Sequence, residues 1–133
     1  PDSMTIAEAR TGLRVLLVED SPRIADRIRD LLQTEAGAEV VHVAVDQQGA
    51  IRAAQDYDAD VMILDLQLRH GTGFGVLQAL GSGRPTTIIM TNYALPQYRA
   101  KAVKLGVEYF LDKSVDFERL PGILAEISSQ RGG

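Results

Sequence analysis

The chain has 133 residues, of which 45% are hydrophobic, and this size and composition predict a single domain with one ordinary core. Its 14 basic and 18 acidic residues give a net charge of −4, which argues against direct nucleic-acid binding by this domain. The absence of cysteine excludes a disulfide framework, a thiolate zinc site and a thiol nucleophile. No apolar run approaches the ~18 residues of a membrane span, and no apolar leader opens the sequence, so we expect a cytoplasmic protein without membrane attachment.

The first half of the chain alternates between strand-like and helix-like segments. A helix beginning at Ser21-Pro22 and ending near Gly37 has a proline in its first turn and apolar residues on one face. Asp46 is predicted to cap a second, more polar helix that runs through Ala54. Short apolar runs, typical of strands buried on both faces of a parallel sheet, lie at Arg14 to Val18, Val40 to Val45 and Asp60 to Leu64.

The same alternation continues to the end of the chain. Strands joined by helices of this length need parallel, right-handed crossovers, so the pattern predicts an α/β fold of the (βα)₅ type, doubly wound, with helices on both sheet faces. Residues 12–130 are predicted to form the domain, and residues 1–11 and 131–133 to be flexible ends or cloning remnants. The remaining elements are a short helix over Val76 to Leu80, a strand over Thr86 to Met90, a helix over Pro96 to Leu105, a strand over Val107 to Leu111, and a helix over Phe117 to Ile127 capped by Asp116.

Reactive polar residues follow four of the predicted strands. The carboxyl ends of neighbouring parallel strands share one edge of the sheet, so residues just past those ends converge in one crevice. Three carboxylates, a hydroxyl and an ammonium would meet there, and Mg²⁺ with a phosphoryl group would balance their charges. The residues are Glu19 and Asp20 after the first strand, Asp65 after the third, Thr91 after the fourth and Lys113 after the fifth.

Each of these residues also has an ordinary structural interpretation. Asp65 could be a helix cap or a surface acid, and Asp20 could cap the helix at Ser21-Pro22. Lys113 could be a solvated lysine, and the Thr91 hydroxyl could bond locally at a strand end. Their joint occurrence, in order, at four strand ends favours a shared site over coincidence.

These motifs resemble the receiver domain of two-component response regulators from Leu13 to Ile127. The opening strand with Glu19-Asp20, the Asp65 loop with Gly73, and the segment from Leu105-Gly106 to Lys113-Ser114 carry the resemblance. It implies a flavodoxin-like sheet with strand order 2-1-3-4-5. It also implies these roles: Asp65 as phosphoacceptor, Glu19, Asp20, Asp65 and the Gln67 carbonyl as ligands of Mg²⁺ or Mn²⁺, Thr91 and Lys113 at the phosphoryl group, and Thr91 and Phe110 as the switch pair.

The resemblance implies a signalling switch rather than an enzyme. Its expected partners are a sensor histidine kinase or a histidine phosphotransfer protein, with homodimerisation on phosphorylation through the fourth helix, fifth strand and fifth helix. Two other functions remain open. A Mg²⁺-dependent phosphohydrolase would use Asp65 as nucleophile, but Gln67 stands where a second acid is usual in such enzymes. A degenerate receiver would act only as an interaction module, but it would be expected to lack one of the acidic residues present here.

Overall fold

The computed structural model describes residues 10–132, which form five strands and five helices that alternate along the chain. The strands are β1 (Arg14–Val18), β2 (Glu39–Ala44), β3 (Val61–Leu64), β4 (Thr86–Thr91) and β5 (Tyr109–Asp112). The helices are α1 (Pro22–Glu35), α2 (Gln47–Asp56), α3 (Gly73–Leu80), α4 (Pro96–Lys104) and α5 (Leu120–Gly132), with short 3₁₀ turns at Gly81–Gly83 and Phe117–Arg119.

All five strands are parallel and lie in the order β2-β1-β3-β4-β5, which confirms the predicted fold. From β1 the chain moves outward to β2 and then returns to place β3 on the other side of β1. This reversal opens a crevice at the carboxyl ends of β1 and β3, where open α/β sheets bind their ligands.

The sheet is covered on both faces, as its apolar strands require. Alternate β1 residues point to opposite sides: Val15 and Leu17 pack against α1 and α5, whereas Leu16 and Val18 pack against α2, α3 and α4. Four of the five β1 residues, Val15 to Val18, and all four residues of β3 are buried. The two central strands are therefore held by packing on both sides, which gives the residues at their ends a rigid base.

Two of the predicted helix starts have the expected caps. The Ser21 hydroxyl accepts a hydrogen bond from the Ile24 N–H at 3.3 Å, and Asp46 accepts one from the Gly49 N–H at 2.7 Å. Because Ser21 is the cap of α1, Asp20 is left free for another role.

The predicted cap of the last helix is wrong. The Asp116 carboxylate does not cap α5 but accepts a hydrogen bond from the backbone N–H of Asp112 at 2.9 Å, closing the turn after β5. The fifth strand also starts two residues later than predicted. The Val107 N–H is bonded to the Ala102 carbonyl in the turn that ends α4, where Gly106 has a φ of 78°, so Val107 is not available to pair with β4.

The predicted chain ends lie largely outside the described residues, since 1–9 and 133 are not covered. Within the described part, the Thr11 N–H donates to the Ala36 carbonyl at 2.7 Å, and Arg131 belongs to α5 and contacts Asp60 at 2.8 Å. None of the helices in residues 10–132 is long and apolar enough to cross a membrane.

Candidate functional site

Lys113 lies between two carboxylates at the carboxyl edge of the sheet. Its Nζ is 2.7 Å from Asp65 Oδ2 and 2.5 Å from Glu19 Oε1, and all three residues are at most 9% exposed. The backbone places them there, because the Asp65 N–H donates to Val18 and the Lys113 N–H donates to Thr91. The predicted contact between Lys113 and Asp65 is present, and the ion pair with Glu19 is an addition that the sequence did not reveal.

The remaining carboxylate oxygens are held by backbone amides. Glu19 Oε2 accepts a hydrogen bond from the Ser21 N–H at 3.0 Å, and Asp65 Oδ1 accepts one from the Gln67 N–H at 3.3 Å. These bonds orient the two buried acids toward the crevice. The second bond also places the Gln67 backbone beside Asp65. The Gln67 carbonyl was predicted to be a ligand of the metal ion there.

The donor set fits a divalent cation. One oxygen each from Glu19, Asp20 and Asp65 lie within 4.8 Å of one another. Three carboxylates against the single ammonium of Lys113 leave two uncompensated negative charges, which matches the charge of Mg²⁺. Hard oxygen ligands at one edge, with an opening to solvent for water and phosphate oxygens, are the environment that Mg²⁺ uses in proteins.

Burial and charge act in opposite directions on the two ionised groups. Burial raises the pKa of Glu19, and the bonds from Lys113 and Ser21 only partly offset this effect. Burial lowers the pKa of Lys113, but the hydrogen bonds and charges of Asp65 and Glu19 outweigh it, so that its pKa lies above the usual value. The lysine is therefore held firmly as a cation, ready to accept a further anion.

Thr91 lies under the site rather than in its wall. It is the last residue of β4 and is fully buried, and its hydroxyl accepts a hydrogen bond from the Tyr93 N–H at 3.1 Å. Its carbonyl accepts the bond from Lys113 described above, so the backbone joins the two predicted phosphoryl ligands.

Phe110 lies in β5, away from the carboxylates, and is half-buried. The Arg99 guanidinium of α4 lies 4.7 Å from the centre of its ring and contacts the Phe110 carbonyl at 3.5 Å. The predicted switch aromatic is thus in contact with α4, whereas Thr91 and Phe110 are not part of the cavity surface.

A cavity of about 300 Å³ opens onto the carboxylates. Of the predicted residues it brings together Glu19, Asp20, Asp65, Gln67 and Lys113. Its wall also includes Ser21, Ile24, Leu68, Asn92 and Tyr93. Ile24 and Leu68 were not predicted, although the position of Ile24 one turn after the acidic pair, in the first turn of α1, is a signal that could have placed it there.

Comparison with known proteins supports the resemblance. The sequence profile described as the response regulator receiver domain matches residues 15–125. The chain belongs to the response regulator receiver domain family. Members of this family are phosphorylation-activated signalling switches, and a receiver domain is a signalling domain.

Two curated relatives and one solved structure illustrate the similarity. The nitrate/nitrite response regulator protein NarP of Escherichia coli is 39% identical over 112 residues, which cover 83% of this chain and 52% of NarP. The transcriptional regulatory protein DesR of Bacillus subtilis is 27% identical over 115 residues, 86% of this chain and 58% of DesR. A LuxR-family DNA-binding response regulator from Staphylococcus aureus has the same fold, with a TM-score of 0.80 at 22% identity over 87% of this chain and 98% of that chain.

This receiver chain spans about half the length of these two curated relatives. The similarity to the solved structure concerns the fold alone, because its identity is low.

Proposed function

We propose that Asp65 of this receiver domain is the phosphoacceptor, and that Glu19, Asp20, Asp65 and the Gln67 carbonyl hold Mg²⁺ or Mn²⁺ beside it. The observation that carries this proposal is the buried Lys113 ammonium, which lies between Asp65 and Glu19 in the lining of an open cavity. A buried acid that merely served the fold would need only its ion partner. Here two buried acids share one lysine, a third acid, Asp20, lies beside them, and all three line a cavity that opens to solvent.

Phosphoryl transfer to Asp65 needs one carboxylate oxygen to approach phosphorus in line with the leaving group. The new O–P bond forms as the P–N bond to the donor histidine breaks, and the imidazole leaves with its electron pair. The Lys113 ammonium can exchange its contact with Asp65 for one with the phosphoryl oxygens, because its ion pair with Glu19 keeps it at the site. Bound Mg²⁺ would shield the incoming phosphate from the carboxylates.

The same residues argue against the alternative functions. A phosphohydrolase needs a group that protonates its leaving group, but Gln67 is an amide, and among residues 10–132 the acids that line the cavity are Glu19, Asp20 and Asp65 alone. Glu19 is committed to Lys113 and Ser21. A purely structural receiver would not retain a complete and converging set of acidic, hydroxyl and lysine residues.

The conformational change caused by phosphorylation would extend from Asp65 to the surface formed by α4, β5 and α5. A phosphoryl group adds about −1.5 to −2 charges, which draws the Thr91 hydroxyl away from the Tyr93 N–H and makes space for Phe110 to turn inward. The Arg99 guanidinium of α4 lies over the Phe110 ring, so a rotation of Phe110 would change a contact of α4. Thr91 and Phe110 are therefore proposed as the switch pair.

The partners follow from the family. We infer that a sensor histidine kinase or a histidine phosphotransfer protein supplies the phosphoryl group in the cytoplasm. Dimerisation on phosphorylation is part of this proposal, and residues 12–130 form the receiver domain. The similar structure from Staphylococcus aureus is that of a DNA-binding response regulator. Any DNA contact of the present protein would be made by another domain, because this one carries a net charge of −4.

Intact-protein mass spectrometry with acetyl phosphate tests the proposal. The wild-type chain should gain one phosphoryl group in the presence of Mg²⁺ and none after chelation. Asp65→Asn should abolish the gain, whereas Asp56→Asn, at an exposed position at the end of α2, should not change it. Equal labelling of the wild type and Asp65→Asn would exclude Asp65 as the acceptor, and rapid release of phosphate would favour the phosphohydrolase.

A further inference from the structure

Gln47, the first residue of α2, spans the gap between that helix and the loop that follows Asp65. Its side-chain oxygen accepts a hydrogen bond from the Thr72 N–H at 3.0 Å, and its own backbone N–H donates to the His70 carbonyl at 3.0 Å. The neighbouring Val45 carbonyl accepts a bond from the Arg69 N–H at 3.4 Å. Residues 69–72 are therefore fastened to the start of α2.

Two glycines make room for the Gln47 side chain. A Cβ atom on either Gly71 or Gly75 would collide with it, and at Gly75 the colliding atoms are those of the terminal amide. Gly71 also has a φ of 94°, a conformation that other residues rarely adopt. The Gln47 side chain thus packs directly against the backbone at Gly71 and Gly75. This contact needs glutamine at position 47 and glycine at the other two positions.

The held segment leads directly back to the proposed phosphoacceptor. Thr72 forms an isolated antiparallel bridge with Gln67, and the Gln67 N–H is bonded to Asp65 Oδ1. The loop is closed by a bond from the Gly73 N–H to the Leu66 carbonyl at 3.0 Å. A side chain on Gly73 would collide with the Asp65 carbonyl, so the loop passes immediately over that backbone.

We propose that Gln47 is a positioning residue, which through Thr72 and Gln67 fixes the Asp65 carboxylate and the proposed metal ligand beside it. This inference rests on the proposed function of Asp65, but the contact itself is independent of that function. Gln47 does not line the cavity, and it acts only through the loop.

Amide hydrogen exchange measures the contact without any phosphorylation. In Gln47→Ala the Thr72 amide should exchange about three- to tenfold faster, which corresponds to one ordinary hydrogen bond. Gln47→Met, which fills similar space without an acceptor, should behave in the same way, and Gln47→Glu should restore slow exchange. Gln48→Ala is the matched control, since Gln48 is the exposed neighbour on the same helix turn.

Gly75→Ala gives a second, independent variant. The added methyl group should displace the Gln47 amide and accelerate Thr72 exchange, even though alanine favours a helix more than glycine does. Combined with Gln47→Ala it should add little, because both substitutions remove the same contact. Full additivity would show that Gly75 does not act through Gln47 and would overturn this part of the inference.

Calorimetric titration with Mg²⁺ alone distinguishes positioning from a purely structural role. Gln47→Ala should bind Mg²⁺ roughly tenfold more weakly, a loss typical of removing an outer-shell partner, while Gln48→Ala binds like the wild type. Unchanged Thr72 exchange, or faster exchange with unchanged Mg²⁺ affinity, would overturn the inference. Failure of the wild type to accept a phosphoryl group would instead refute the proposed function and leave the Thr72 result unaffected.

Discussion

At the scale of single residues, the site is dominated by one ammonium shared between two buried acids. Removing one partner of a buried ion pair typically costs about 3–5 kcal/mol, because the other charge remains desolvated. The sequence placed Lys113, Asp65 and Glu19 at strand ends and so predicted their proximity. It could not predict that Glu19 would take the ammonium while Asp20 remained partly exposed, because that choice depends on the side-chain directions of two adjacent residues.

Lys113→Met should lower the free energy of unfolding by about 3 kcal/mol in the absence of metal, since Glu19 and Asp65 would lose their counter-charge. Denaturant unfolding in a chelating buffer measures this change. Lys104→Met, at an exposed residue in the last turn of α4, is the control and should change stability by less than about 0.5 kcal/mol. A loss as small as that of the control would show that the ion pair contributes nothing to stability.

Tyr93 is expected to slow loss of the phosphoryl group. It is 48% exposed and forms part of the cavity wall, where its ring can hinder an attacking water. Gln67, on the same wall, acts in the opposite direction if its amide orients the attacking water. Tyr93→Ala should therefore shorten the lifetime of the phosphorylated form, as followed by mass spectrometry after removal of the donor. An unchanged lifetime would eliminate the steric explanation.

At the scale of secondary-structure elements, the sequence predicted the alternation correctly and missed features that depend on contacts between elements. β4 extends to Thr91 because that carbonyl pairs with Lys113, and β5 starts late because Val107 completes the turn after α4. The role of Gln47 was hidden for the same reason. A polar residue in the first turn of a helix looks solvated until the loop it contacts is known.

The surface formed by α4, β5 and α5 should change when Asp65 is modified. Backbone NMR shifts of residues Pro96 to Glu118 should change on adding Mg²⁺ and beryllofluoride, which stands in for the phosphoryl group. Thr91→Ala should still react at Asp65 but show a smaller response, because the hydroxyl that links the phosphoryl group to β4 is missing. Changes confined to residues next to Asp65 would show that the signal does not reach this surface.

A hydrogen bond between β5 and α5 can be tested by pH titration. Burial raises the pKa of Tyr109 above its usual 10.0, and Glu126 adds to this effect by accepting the phenol hydrogen bond at 3.1 Å. Stability from this group is present below pH 10.0 and is lost as the pH rises through the raised pKa. Glu126→Gln should lower the pKa of Tyr109 in an NMR titration, while Glu118→Gln should not; equal values in all three proteins would exclude the contribution of Glu126.

At the scale of the whole molecule, a sheet buried on both faces carries three acids and one lysine at its carboxyl edge, so the acids there exceed their counter-charge. The apolar strands are buried on both faces, and the two clusters that pack there do not include the acids at the edge. Packing of the core therefore offsets the repulsion between these acids. Sequence periodicity was sufficient to predict this core. It could not reveal the balance between repulsion and ion pairing at the edge, which depends on distances across three strands.

Asp20→Asn should therefore stabilise the metal-free protein while weakening its response to Mg²⁺. The Asp20 carboxylate has an oxygen within 4.8 Å of oxygens of Glu19 and Asp65, and removing its charge relieves roughly 1 kcal/mol of repulsion in a water-like medium. By contrast, Mg²⁺ at 100 times its dissociation constant adds about 2.7 kcal/mol to the wild type. Thermal unfolding with and without Mg²⁺ measures both effects, with Asp56→Asn as control. A lower melting temperature for metal-free Asp20→Asn would contradict the repulsion at this edge.

The central claim, that Asp65 carries the phosphoryl group, is tested most directly by locating the modified residue in the unmutated chain. Borohydride reduces an aspartyl phosphate to homoserine, and tandem mass spectrometry of the digested protein then identifies its position. After reaction with acetyl phosphate and Mg²⁺, homoserine should be found at position 65 and should be missing when Mg²⁺ is chelated. Homoserine at position 20 or at any other aspartate, the corresponding alcohol at a glutamate, or equal conversion without the metal would contradict the claim.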